Sequence, residues 1–292
     1  MTQPILRSLT LALITLFAAQ VTHAADLKMA VNAPRGAIDA QKWLAIAEQL
    51  VAKTGKTIEV IPYSPLKIDD AIANGEVDFG LLNPVSAVVV IEKFKAKPLA
   101  TLKIKGTAFF AGVIIAKKGS GITKVTDLKD KKVKAFNIGS SAGAYVFQAY
   151  HLLQQGIDAH KDFASFKDAK KQDEIPLAVK LGLADVGFVR SGMLESMVKE
   201  GKITLDEFVI IDQRKDDLKL IHSTDLYPEW FLVAVAKTDT GLVKKVQDAA
   251  LKVKASDESA KAAEIDGFVE AQNLDGLRKA LKALKLAPYD GV

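Results

Sequence analysis

The sequence predicts an α/β protein built as two similar halves, and three observations carry that reading. Short runs rich in branched and aromatic residues alternate with stretches whose apolar residues recur every three to four positions. The segment 71–84 (AIANGEVDFGLLNP) matches 178–191 (AVKLGLADVGFVRS), with Ala, Gly, Asp and Gly at the same offsets. Two β-rich runs, 107–121 and 223–239, stand where a chain crossing between halves and back again would fall. A helix, glycine and strand in succession can also match by chance, so the repeat needs the crossings to support it.

Taken in order, residues 1–7 carry one positive charge, 9–19 (LTLALITLFAA) are apolar, and Thr22 and Ala24 place small residues at the positions of a cleavage site. This reads as a signal peptide spanning 1–24. Its apolar run is about half the roughly 20 residues that cross a bilayer. The expectation is a soluble, exported, monomeric chain that begins at Ala25, without membrane insertion.

Strands are expected at 27–31, 57–61, 78–82, 133–138, 185–189, 207–211 and 230–236. A helix over 37–53 places Trp43, Ile46, Ala47, Leu50 and Val51 on one face before Gly55, and another over 141–154 does the same with Ala142, Tyr145, Val146, Ala149, Leu152 and Leu153 before Gly156. Past residue 240 the pattern is helical throughout. The lobes then comprise 25–112 with 228–292, and 113–227, each a mostly parallel sheet flanked by helices, with a cleft between them.

Composition narrows the chemistry. The chain has no cysteine, which excludes disulfides, thiolate catalysis and zinc–thiolate sites. Net charge is +5, spread through mixed stretches such as DLKDKKVK, so a solvated surface is favoured over a nucleic-acid patch. Four histidines, His23, His151, His160 and His222, show no ligand spacing, and neither a metal nor a cofactor is expected.

In open α/β sheets the ligand crevice lies beyond the carboxyl ends of the strands. The polar groups expected there are Asn32 to Arg35, Tyr63, Asn83, the Ser140–Ser141 turn and Arg190. In 135–145 (AFNIGSSAGAY), helix-start N–H groups, two hydroxyls and flanking Gly139 and Gly143 suit an anion. Arg35 and Arg190 offer planar forks to an oxyanion. Phe109, Phe110, Tyr227 and Trp230 are candidates for the pocket wall. The same GSSAG fits the G-x-S-x-G of a hydrolase elbow, with Ser141 as nucleophile and Asp185 or Asp212 with His222 completing a triad. Against a secreted esterase stand the missing HGGG-type stretch, a tail without histidine and the bulk of Tyr145 early in the helix.

RGAIDAQKW, VDFGLLNPVSAVV, NIGSSAGAYVFQAYHLLQQGID, LADVGFVRSGMLESM and HSTDLYPEW together resemble the phosphate/phosphite/phosphonate type of periplasmic solute-binding protein. They are most similar to the periplasmic sensor domains attached to tetrathionate-type histidine kinases. The resemblance covers nearly the whole mature chain. It implies a two-lobed, type II binding protein that closes on a small phosphorus or sulfur oxyanion and works with an ABC permease or a sensor kinase. Family site residues fall on Tyr63, the Asn83 loop and Ser140–Ser141–Ala142–Gly143, and sensor-like members add Arg35, Arg190 and Tyr227 to Trp230. Phosphonate binders tend to carry S-T-S-G, so Ala142 lacks one hydroxyl, and their later pocket histidine is replaced near Lys167.

Overall fold

The computed structural model describes residues 24–32 and 37–291. The expected leader and Arg35 lie outside the described residues. Strand β1 (Leu27–Asn32) leads to α1 (Ala37–Val51), β2 (Ile58–Tyr63), α2 (Pro65–Ala73), β3 (Phe79–Leu82), α3 (Pro84–Phe94) and β4 (Lys97–Lys103). The two-residue β5 (Phe109–Phe110) precedes β6 (Gly112–Lys117), β7 (Lys132–Phe136), α4 (Phe147–Gln154), β8 (Ser165–Ala169), α5 (Glu174–Lys180), β9 (Val186–Arg190), α6 (Met193–Lys199) and β10 (Phe208–Ile210). The chain returns through β11 (Tyr227–Pro228) to β12 (Phe231–Ala234), α7 (Thr240–Ala250), α8 (Glu258–Ala263), β13 (Gly267–Glu270) and α9 (Asp275–Ala283).

These strands form a six-stranded sheet, β13-β4-β12-β3-β1-β2, and a five-stranded sheet, β10-β6-β9-β7-β8, joined by the antiparallel β5–β11 pair. Each sheet is parallel along one side, β2-β1-β3 in one and β8-β7-β9 in the other. Antiparallel strands complete both, because β12 pairs with β3 and β4, β13 with β4, β6 with β9 and β10 with β6. The sheets are therefore mixed, where mostly parallel ones were expected.

Both faces of each sheet are buried, which is what continuous apolar strands require. Trp43, Ile46 and Leu50 of α1 join Val243 and Val246 of α7 and Ala260 of α8 on one face of the larger sheet. Ile68, Ile72, Val85, Val88, Leu277 and Leu281 cover the other face, and that cluster runs on into Phe147 and Tyr150 of α4. Within β6 the period-two alternation is direct. Val113 and Ile115 join one cluster, and Ile114 and Ala116 join the opposite one.

The internal repeat is structural. Asp78 accepts the N–H of Lys28 at 2.9 Å and returns its own N–H to Lys28 O. Asp185 does the same with Lys132, at 2.8 Å through its carboxylate. Each aspartate thus ties the start of a repeat strand to its parallel neighbour. Gly75 and Gly182, at φ +65° and +74°, end the preceding helices in the left-handed conformation that glycine adopts without steric cost.

At the crossing, Tyr227 pairs with Phe110 and Pro228 with Phe109. Ser223 N–H donates to Gly112 O at 2.8 Å, and Gly112 N–H donates to Thr224 Oγ1 at 2.9 Å. The two crossing segments run side by side.

Helix α4 carries a buried histidine on the face away from its start. His151 Nε2 lies 2.7 Å from Asp212 Oδ2 and is 5 % exposed. Burial lowers its pKa below the usual value of about 6.5, with the Asp212 contact opposing. Below pH ~6.5 the unfolded chain takes up a proton that the folded chain refuses. The contribution is present above that pH and lost as pH falls toward the depressed folded value. Urea midpoints are expected to drop between pH 7 and pH 5, and His151→Gln should flatten that drop. An unchanged slope would place the titration elsewhere.

Candidate functional site

The carboxyl ends of β1, β3, β7 and β9 meet at a cleft of about 100 Å³. That is small against the roughly 300–1,000 Å³ of sites for drug-sized ligands. Its wall combines Asn32, Asn83 and Trp230 from the larger sheet and its connections with Asn137, Ser140, Ser141, Ala142, Gly143, Gln172 and Arg190 from the smaller one, besides Phe110 and Phe136.

The turn after β7 is shaped by Asn137, at φ +47°, and Gly139, at φ +99°. Asn137 O accepts the N–H groups of Ser140 at 3.0 Å and Ser141 at 2.9 Å. The following turn, Ala142–Val146, is π-helical: Val146 N–H donates to Ser141 O and Phe147 N–H to Ala142 O. The N–H groups of Ala142, Gly143, Ala144 and Tyr145 therefore precede the first helical bond and have no partner within the helix. The N-cap Ser141 makes no side-chain capping bond, which leaves its hydroxyl free of that duty. Gln148, fully buried, donates to Gly143 O at 2.8 Å and to Val189 O at 2.9 Å, locking this turn to the end of β9.

Arg190 ends β9 with its guanidinium 4.7 Å from the centre of the Phe110 ring, and its Nη2 donates to Glu229 Oε1 at 2.8 Å. Phe110 in turn meets Phe147 edge-on at 5.0 Å, and Phe147 stacks on Tyr227 at 4.1 Å. A column of rings thus runs from the β5–β11 pair to the cleft.

On the opposite side, Asn83 caps α3. Its Oδ1 accepts from Val85 and Ser86 N–H, and its Nδ2 donates to Asn32 Oδ1 at 3.1 Å. Asn32 Oδ1 also accepts Asn83 N–H at 2.7 Å. Asn83 is consumed by these contacts. Asn32, 3 % exposed, retains an Nδ2 donor without a partner among the described residues. The arrangement is a small, donor-lined cavity with one cation and no carboxylate among the described residues of its wall.

Residues 37–275 match the sequence profile of the family described as "ABC transporter, phosphonate, periplasmic substrate-binding protein". The chain belongs to this family. Among curated relatives, the tetrathionate sensor histidine kinase TtrS of Salmonella typhimurium is 26 % identical over 220 residues, 73 % of this chain. The match spans only 37 % of TtrS. PhnD1 from Prochlorococcus marinus, solved with methylphosphonate, superposes with a TM-score of 0.70 at 15 % identity, over 89 % of this chain and 98 % of that one. The binding-protein component of an ABC phosphonate transporter from Pseudomonas aeruginosa gives 0.70 at 15 %, over 89 % and 86 %. The family and these structures are substrate-binding proteins rather than enzymes, and the two-lobed α/β binding-protein fold is shared with them. No helix among the described residues is long and apolar enough to cross a membrane.

Within this phosphonate-binding fold, the expected Ser140, Ser141, Ala142, Asn83 and Arg190 line one cleft. Tyr63 stands apart. It ends β2, the edge strand of its sheet, and its hydroxyl lies 3.4 Å from Glu76 Oε2. Burial and Glu76 both raise its pKa. Tyr227 is buried in the ring column rather than on the cleft wall, and burial pushes its phenol up. Phe110 and Trp230 do line the cleft.

No triad forms around Ser141. His222 Nδ1 lies 2.8 Å from Leu220 O and its Nε2 3.0 Å from Asp216, so both ring nitrogens are engaged away from the serine. Asp212 faces His151, and Asp185 sits at the start of β9, bound to Lys132 N–H, while Arg190 of the cleft is at its end. Sequence reasoning noted Asn32 but preferred the charged Arg35. It missed Gln172, whose Oε1 accepts Arg190 N–H at 3.3 Å, and it named Glu229 only within the Tyr227 to Trp230 stretch, not as the partner of Arg190.

Proposed function

We infer that this family member captures a small oxyanion of the phosphorus or sulfur class between two hinged lobes and presents it to an ABC permease or a membrane sensor kinase. The observation that carries the reading is the convergence on one cleft of Ala142 and Gly143 at the start of the helix, Ser140 and Ser141, and Arg190, facing Asn32, whose amide donor has no partner among the described residues. Such donors satisfy negative charge without a neutralising proton. The lobes are assigned to 25–112 with 228–292 and to 113–227, with the β5–β11 pair as hinge. Ligand held by groups from both lobes favours the closed state by its preference for that state. A leader over 1–24 delivers the protein, as a monomer, to the periplasm. No bond is broken in this scheme, and Ser141 holds where a hydrolase serine would attack.

The likeness to a sensor kinase and to transporter components supports both partners. Gene neighbours distinguish them, since a permease with an ATPase marks transport and a kinase marks sensing.

A thermal-shift screen of phosphate, phosphite, methylphosphonate, thiosulfate, tetrathionate and sulfite tests the proposal. A ligand at about 100 times its Kd stabilises by ~2.7 kcal/mol. Ser141→Ala should weaken the anion that scores by roughly tenfold, the worth of one hydrogen bond to a charged group. No stabilisation by any of these anions would overturn the reading, and hydrolysis of a model ester lost in Ser141→Ala would replace it with the esterase.

A further inference from the structure

The charge of the cleft is set by a pair. Arg190 keeps 29 % of its side chain exposed and faces the cavity, while the Glu229 side chain that accepts from it is 3 % exposed and closed off behind it. Glu229 is anchored by its backbone, whose N–H donates to Ala108 O at 2.8 Å, in the short link between β11 and β12. Its second oxygen, Oε2, has no hydrogen-bond partner among the described residues. A carboxylate with such a fixed position and no access to the cavity cannot touch a bound anion. It acts on it through its field.

We propose that Glu229 is the specificity residue of this site, cancelling the charge of Arg190 so that the cleft selects singly charged oxyanions over doubly charged ones of similar shape. The proposal rests on the anion reading of the cleft. The remaining donors on the described wall, among them the hydroxyls of Ser140 and Ser141 and the amide of Asn32, are neutral dipoles. They reward correct geometry. A second negative charge on the ligand gains attraction to Arg190, and repulsion from the more distant Glu229 offsets a substantial part of that gain. Its larger dehydration cost is not returned, so the doubly charged anion is left outside.

Glu229→Gln tests this, because the glutamine Oε1 still accepts from Arg190 while the charge is gone. Methanesulfonate and sulfate, one and two charges on comparable tetrahedral heads, are titrated against both proteins with Trp230 fluorescence and calorimetry as readouts. The wild type is expected to favour methanesulfonate. Repulsion scales with ligand charge, so removing Glu229 should tighten methanesulfonate by about tenfold and sulfate by about a hundredfold. Glu229→Asp, which keeps the charge, should keep the wild-type ratio even if packing lowers both affinities. A purely structural role would move both anions by one factor in Glu229→Gln, and that result overturns the proposal. Binding of neither anion by wild type or variant would instead remove the anion reading on which it stands. Whatever Arg35 adds is common to all three proteins and leaves the comparison intact.

Discussion

Arg190→Ala is expected to lose anion binding by a hundredfold or more and, with it, much of the stability of the empty protein. The binding loss follows from removal of a charge-assisted donor, about 1.5–3 kcal/mol, with the repulsion of the unmasked Glu229 added to it. The stability loss follows from the same carboxylate. Glu229 Oε1 has Arg190 as its partner and Oε2 has none among the described residues, so deleting the guanidinium strands a buried charge. Breaking a buried pair in this way costs about 3–5 kcal/mol. From the sequence, Arg190 reads as a cation facing the crevice whose loss weakens the anion far more than it alters the melting temperature of the empty protein; its pairing with the buried Glu229 argues for a large stability loss as well. The double variant Arg190→Ala/Glu229→Gln separates the two effects. It should recover most of the stability in urea titrations while binding stays lost, the non-additivity of residues in contact. A single Arg190→Ala variant as stable as wild type would show that Glu229 finds another partner, and unchanged anion affinity would remove Arg190 from the site.

The part of the fold legible in the sequence is the part fixed by local pattern. The repeat was visible because each copy needs a left-handed glycine and an aspartate that bridges to the neighbouring strand, and these constraints act within a dozen residues. Helix α1 and the strand cores were visible from their periodicity. Strands β4, β8 and β13 were not. β4 contains Pro98, β8 is a half-exposed edge strand reading SFKDA, and β13 has only four residues in a region of helical pattern.

The site divides along the same line. The Ser140–Ser141–Ala142 turn, Asn83 and Arg190 follow strand ends, and the rule that ligands sit there brought them together. The rule does not say which strand end faces the other lobe, and Tyr63 fell on an edge strand. Tyr227 illustrates a further limit: an aromatic near a chain crossing has the same sequence signature whether it lines a pocket or fills a core. The roles of Glu229 and Gln148 were invisible because they exist only across sheets. One faces the end of β9 from the β11–β12 link, and the other ties a helical turn to β6 and β9.

Gly143→Ala carries the second large effect, and it arises from space rather than backbone conformation. A Cβ on Gly143 would stand 2.7 Å from Phe110 Cε2 and 3.0 Å from Arg190 Cβ. Neither neighbour has room to retreat. Phe110 is buried edge-on against Phe147, itself stacked on Tyr227, and Arg190 belongs to a paired strand. The turn must therefore lift away, which pulls Gly143 O from Gln148 and swings Ser141, Ala142 and Gly143 out of line with the cleft. Overpacking of this kind costs about 1–3 kcal/mol, measurable as a lower urea midpoint. Anion affinity should fall by more than tenfold, because several donors move together where Ser141→Ala removes one. A Gly143→Ala protein that loses stability yet binds its anion as wild type does would show that the turn is scaffold alone and that the ligand is held by Arg190 and the opposite wall.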